Sequence, residues 1–144
     1  MKVELRSLYT THAPRAVILI RIIVGVVFLS EGIQKFLFPA ELGIGRFAKI
    51  GIPSPDLLAP LVGGCEILGG ILLLLGLLTR PTCGVLLGIM LVAIASTKPP
   101  ILLRDGFWKM AHDARTDWSM LMSLLFLLVV GAGPWSMDAK LDRK

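Results

Sequence analysis

The chain is built around four runs of apolar residues, near 15–38, 57–78, 82–98 and 118–133, each interrupted by very few charges. A bilayer leaves such runs one open-ended option: backbone N–H and C=O groups find no water there, so each run must close its own hydrogen bonds as a helix. A crossing helix takes about 20 mostly apolar residues, so four crossings with short connections fit a chain of 144 residues. Only 17% of the residues are charged, and the mean hydropathy is +0.79, far from the usage of a water-soluble domain. The expected fold is all-α, a single domain over residues 1–144 forming an integral membrane four-helix bundle.

Prolines and charges set the boundaries. Pro14 opens the first run in a position suited to a helix start, and Pro39 closes it. Residues 1–15 are polar, and the apolar run after Pro14 lacks a small-residue cleavage site followed by a soluble domain, so the first run is expected to be retained as a span. Residues 40–60 carry Arg46, Phe47 and Lys49 followed by Gly51-Ile52-Pro53-Ser54-Pro55, the pattern of a short interfacial amphipathic helix and a turn. The second run is expected to end at Thr79-Arg80-Pro81, making a tight antiparallel hairpin with the third, which Pro99-Pro100 should end. The connection 101–116 mixes Arg104, Asp105, Lys109, Asp113 and Arg115 with Phe107 and Trp108, as an interfacial loop would. Trp118 and Trp135 bracket the fourth run, and on one helix they would stand about 25 Å apart, one in each aromatic belt.

The formal charge of +5 does not point to nucleic acid, because the basic residues are scattered at membrane flanks and form no stripe. On the side of the termini stand Lys2, Arg6, Arg15, Arg80, Lys140, Arg143 and Lys144; on the other stand Arg46, Lys49, Lys98, Arg104, Lys109 and Arg115. That balance leans toward termini inside. Cys65 and Cys83 form no Cys-x-x-Cys pair and read as reduced packing residues. His12 and His112 fall outside the spans, so no pair of intramembrane histidines is available for haem, and no zinc-ligand spacing occurs. Met90, Met110, Met120 and Met122 read as packing rather than a copper path. No metal is expected.

Chemistry must come from ionisable groups inside the spans, each of which costs about 2.5–3.5 kcal/mol at a helix centre unless paired or facing a cavity. These are Arg21, Glu31, Lys35 and Glu66. Glu31 and Lys35 share a helix face by their i, i+4 spacing, with Gln34 beside it. Counted down antiparallel helices at about 1.5 Å per residue, Glu31 lies about 10 Å and Glu66 about 13 Å below the same surface, so the two carboxylates can share a pocket. Arg21 then falls near the opposite surface. An alternative reading makes Glu31–Lys35 a structural pair fixing helix register, with Arg21 and Lys35 snorkelling. Glu66 resists that reading, being mid-span among Gly63, Gly64, Gly69 and Gly70, although such glycines are more often packing surfaces than cofactor cradles.

Taken in order, Arg21 and Gly25, Ser30-Glu31-Gly32-Ile33-Gln34-Lys35-Phe36, the Phe47, Gly51, Pro53 series, Glu66-x-x-Gly69-Gly70, Gly76-Leu77-Leu78-Thr79-Arg80 and the ending Gly131-Ala132-Gly133-Pro134-Trp135-Ser136-Met137-Asp138 are similar to the DoxX family. These are small four-helix bacterial membrane proteins related to the DoxD-type subunit of thiosulfate:quinone oxidoreductase. The resemblance implies a multi-pass protein of the bacterial inner membrane that partners other redox proteins, in some cases with quinone or sulfur chemistry or oxidative-stress defence. It places the recurrent polar positions at Arg21, Lys35, Glu66 and Arg80. Where family members often carry a histidine before the glycine of the first span, this chain has Glu31, which argues against histidine-dependent chemistry.

The expected function is therefore a membrane subunit of a redox system, in which Glu31 and Glu66 exchange protons and Arg21, Gln34, Lys35 and Arg80 bind a quinone or small reductant. A protein partner, or further copies of the chain, would complete it, since the sequence has no evident electron carrier. The alternatives are a non-enzymatic membrane scaffold that docks a partner through Phe107-Trp108 or the basic tail, and a small-solute carrier coupled through Glu66.

Overall fold

The computed structural model describes residues 13–142, and all regular structure among them is helical. Lys2, Arg6, His12, Arg143 and Lys144 lie outside the described residues. The elements are α1 (Val17–Leu37), α2 (Ile44–Lys49), α3 (Pro55–Leu75), α4 (Thr79–Asp105), α5 (Phe107–Asp113), α6 (Arg115–Val130) and α7 (Met137–Asp142). Three of them, α1, α3 and α4, are long and apolar enough to cross a membrane. The fourth, α6, has 16 residues, about 24 Å of helix.

Local chemistry explains most of these limits. The Phe38 N–H donates to the Gln34 carbonyl at 2.8 Å, and Pro39 prevents another turn. Pro55 occupies the first turn of α3, where its missing N–H costs nothing, and Asp56 beside it complements the helix dipole. The helix ends on Gly76, whose φ of +64° lets Leu77 donate to Leu72 and Gly76 to Leu73, the glycine-terminated closure of a Schellman motif.

The described helices form two close pairs. α1 packs most tightly on α3 and α4 on α6, while α3–α4 and α1–α6 touch more sparsely. Glycines permit the first pairing: a methyl group on Gly32 would sit 2.6 Å from the Gly63 carbonyl oxygen, and one on Gly70 would sit 2.7 Å from that of Gly25. Val24, Phe28, Leu73, Leu86, Leu124 and Leu127 join the two pairs in one buried cluster.

Three boundaries and one helix pairing differ from expectation. The second run stops at Leu75, so Pro81 lies in the first turn of α4, where a proline is tolerated. The hairpin turn itself is tight, but its two helices touch only sparsely. Pro99-Pro100 does not end the third run: α4 continues to Asp105. Both prolines are exposed, so the carbonyls of Ala95 and Ser96 that lose an intrahelical donor can turn to water or headgroups, and Lys98 anchors the same turn to the neighbouring helices. Last, Trp135 is not on the helix of Trp118, because α6 ends at Gly131 with φ +87°. It lies instead 5.8 Å beneath the Arg15 guanidinium, a cation–π contact.

Candidate functional site

At the end of the helices that carries α2 and α5, the space between the two helix pairs opens into a cavity of about 700 Å³, within the range of small-molecule sites. Its walls are largely apolar, with Phe28 from α1, Phe47 from α2, Val62 from α3 and Ile89 and Met90 from α4. Phe47 explains why a six-residue helix persists here: it is the residue of α2 that is buried.

Two charged clusters face this cavity, one from each helix pair. In the first, Lys35 Nζ lies 2.6 Å from Glu66 Oε2 and 3.9 Å from Glu31 Oε2. Glu66 is only 5% exposed, whereas Glu31 is open. Sequence spacing pairs Lys35 with Glu31 on its own helix, but the shorter contact runs across to α3. In the second cluster Lys98 of α4 reaches Asp113 Oδ2 at 2.7 Å and Asp117 Oδ2 at 2.5 Å. Hydrogen bonding from Lys98 holds the Asp113 carboxyl below the ordinary carboxylate range against the effect of burial, with attraction from Lys98, Lys109 and Arg46 adding to it. Arg46 lines the cavity from α2.

Glu31, Glu66, Asp113 and Asp117 thus face Lys35, Arg46 and Lys98. Full ionisation leaves one net negative charge, which suits a neutral or proton-donating ligand better than an anion. Among the described residues no group of three or more His, Cys, Asp or Glu is arranged to hold a metal.

The structure brings Glu31, Lys35 and Glu66 together as their spacing implied. It sets the other expected residues elsewhere. Gln34 donates to Ser30 Oγ at 2.9 Å on an exposed face. Arg80 donates to the Val129 carbonyl at 3.0 Å, at the opposite end. Arg21 is also at that end, where Nε donates to the Leu73 carbonyl at 2.9 Å, Nη1 to that of Ala132 at 2.6 Å and Nη2 to that of Leu74 at 3.3 Å. It ties the last turn of α3 to the segment after α6. Asp138 completes this clasp, its carboxylate accepting the Leu78 and Thr79 N–H groups at 2.8 and 3.0 Å, which caps α4 from a distant part of the chain.

Four charged cavity residues were not expected there: Lys98 and Arg46 read as membrane flanks, Asp113 as part of an interfacial loop, and Asp117 stands outside the expected set. The available signal was weak: Asp113 and Asp117 have helical i, i+4 spacing, but a helix break at Ala114 separates them.

The DoxX family profile matches residues 16–99, a segment that holds α1 to α3 together with Lys35, Glu66 and Lys98. The chain is 52% identical to an uncharacterized membrane protein of Mycobacterium tuberculosis over 139 residues, which covers 92% of this chain and 85% of that one. It is 34% identical to an uncharacterized Haemophilus influenzae protein, covering 92% and 96% respectively. It is 31% identical to CatD of Bacillus subtilis, whose name marks it as a provisional oxidoreductase, covering 84% and 83%. No solved structure matches the chain.

Proposed function

The chain belongs to the DoxX family, and from that premise we propose that it is the membrane subunit of a redox system that binds a quinone-type head group in the cavity between its helix pairs. The observation that carries this reading is the buried Lys35–Glu66 ion pair, 2.6 Å long and beside Glu31, on the wall of a largely apolar cavity that a second charged cluster closes from the other helix pair. A neutral ring with hydroxyl or carbonyl oxygens matches that wall: the ring packs on Phe28 and Phe47, and its oxygens meet a donor and acceptors that are already paired to exchange a proton. Oxidation of a bound quinol would release two protons, one each to the Glu66 and Glu31 carboxylates, and two electrons to a protein partner, leaving Lys35 as the cation of the cluster. The slight excess of carboxylates over cations favours this ligand over an anionic reductant. The name of the CatD relative is consistent with redox work.

In this reading α6 is a fourth crossing beside α4, and the protein sits in the bacterial cell membrane with both termini on the cytoplasmic side. Of the residues expected to bind substrate, Lys35 does so, while Arg21 and Arg80 hold the far end together.

Mass spectrometry of lipophilic compounds extracted from the gently purified protein tests the proposal, with Glu66→Gln as the comparison. A quinone retained by the parent and lost from Glu66→Gln is the expected result. Absence from both would overturn it in favour of a scaffold without a redox ligand.

A further inference from the structure

We propose that the cavity is filled sideways from the bilayer, through an opening along α4 at Gly88, and that its ligand is therefore an amphiphile with an apolar tail rather than a water-soluble molecule. The inference rests on the cavity described above and names the class of ligand that the proposed redox site takes.

The argument starts from how the helix pairs meet. α3 and α4 are joined by a short turn and clasped at that end by Arg21 and Asp138, yet they touch sparsely along their length. A wedge clasped at one end widens toward the other, and the cavity occupies the widening. Its charged clusters mark the ends of the long helices near α2 and α5. Going back along α4 from Lys98, the lining continues through Val92, Gly88 and Val85. Val85 and Val92 are each 56% exposed on a helix apolar enough to cross the membrane, so the cavity wall along this stretch of α4 is open rather than enclosed by neighbouring helices. An apolar, exposed stretch of cavity wall on a helix of this kind is what a cavity open to lipid along this face would present.

Gly88 sits at the centre of that opening. It is exposed, it lines the cavity, and a methyl group built on it meets nothing within 4 Å. The glycines between α1 and α3 are required by close backbone contact, but no such contact explains this one. Its missing side chain leaves a gap one residue wide between hydrocarbon and cavity. A ligand with its head at Lys35 and Glu66 has a dry path for a tail there, whereas a wholly polar molecule would gain nothing from it.

Gly84, one turn earlier on α4, is also exposed with nothing within 4 Å, but it does not line the cavity. It provides a matched control on the same helix. The experiment measures equilibrium binding of decylubiquinone and of its tail-less parent quinone to the protein in lipid nanodiscs, empty discs subtracted, for the parent chain, Gly88→Leu and Gly84→Leu. Filling the opening should weaken decylubiquinone binding to Gly88→Leu by about tenfold, a typical penalty for overpacking a fitted space. Tail-less quinone binding should change less than about twofold, and Gly84→Leu should match the parent for both. Equal binding of decylubiquinone to all three proteins would overturn the proposal, as would equal loss of both quinones from Gly88→Leu. If the parent binds neither quinone, the redox reading fails on its own, and co-purifying lipid decides the opening. An acyl lipid retained by the parent and Gly84→Leu but not by Gly88→Leu supports it, and equal retention by all three overturns it.

Discussion

The two ends of this molecule treat buried charge in opposite ways. At the turn between α3 and α4, Arg21 is 2% exposed and all of its described hydrogen bonds go to backbone carbonyls, while Asp138 accepts only backbone N–H groups there. These charges close helix ends that would otherwise face lipid unsatisfied. At the α2 and α5 end, Lys35 and Lys98 pair with side-chain carboxylates, and the pairs border open space. A charge that neutralises helix ends fixes the fold, whereas charges that neutralise one another beside a cavity remain available to a ligand. Residue type does not distinguish the two uses. The partner does.

The sharpest way to break this comparison is to remove one cation from each end. Arg21→Ala removes the guanidinium donor from the Ala132 carbonyl and one of two donors from that of Leu73, and should cost about 2 kcal/mol or more of stability. Denaturant unfolding in detergent measures it. Lys35→Met should cost less, because its partner Glu66 borders the cavity instead of closing a helix end, yet it should lose the retained quinone. Comparable losses of stability in the two variants would mean that both clusters are structural, and the distinction between the ends would disappear.

A finer test asks where the flexibility lies. The α1–α3 seam is equally tight at both ends, since Gly70 meets Gly25 near the clasp and Gly32 meets Gly63 near the cavity. The widening therefore occurs between pairs and not within one. Gly32→Ala and Gly70→Ala should each destabilise by about 1–3 kcal/mol, because a backbone carbonyl must move in both cases. Thermal unfolding of the two variants provides the comparison, and a Gly32→Ala variant as stable as the parent would show that the α1–α3 pair itself opens at the cavity end.

Much of this arrangement was legible from the amino-acid sequence. Apolar runs and prolines located the long helices because backbone satisfaction in lipid leaves few alternatives. Counting depth along antiparallel helices brought Glu31 and Glu66 to nearly one level, and i, i+4 spacing added Lys35 to the same face. What the sequence hid depends on contacts far along the chain. Arg21 looked like a binding residue, because nothing local reveals that the carbonyls of Leu73 and Ala132 converge on it. Lys98 looked like a membrane flank, because two prolines after it suggested that its helix was over, and Asp113 and Asp117 come within reach only when that helix continues and α5 folds back. Proline limits are reliable where a helix has no other support, and they fail where side chains from neighbouring helices hold the next turn.

The smallest expected effect concerns that second cluster, and acid should reveal it. Lys98 holds Asp113 below the ordinary carboxylate range, so the folded protein binds that proton less readily than the unfolded chain does. A depressed carboxyl contributes stability that is fully present above its unfolded value and is lost as pH falls through its folded one. The contact between α5 and α4 should thus be constant from neutral pH down to the usual carboxylate range and weaken only below it. Asp113 is 47% exposed on its side chain, so solvent screening keeps the effect to less than about 1 kcal/mol, and it should be confined to α5. Hydrogen exchange across an acid titration reads it directly: protection of Phe107–Asp113 should fall at acid pH while α1 and α3 stay protected, and Asp113→Asn should remove the pH dependence of α5. If α5 and α3 lost protection together at neutral pH, the cavity end would be one cooperative unit with the clasp. The contrast between a fixed end and an available one would then have to be given up.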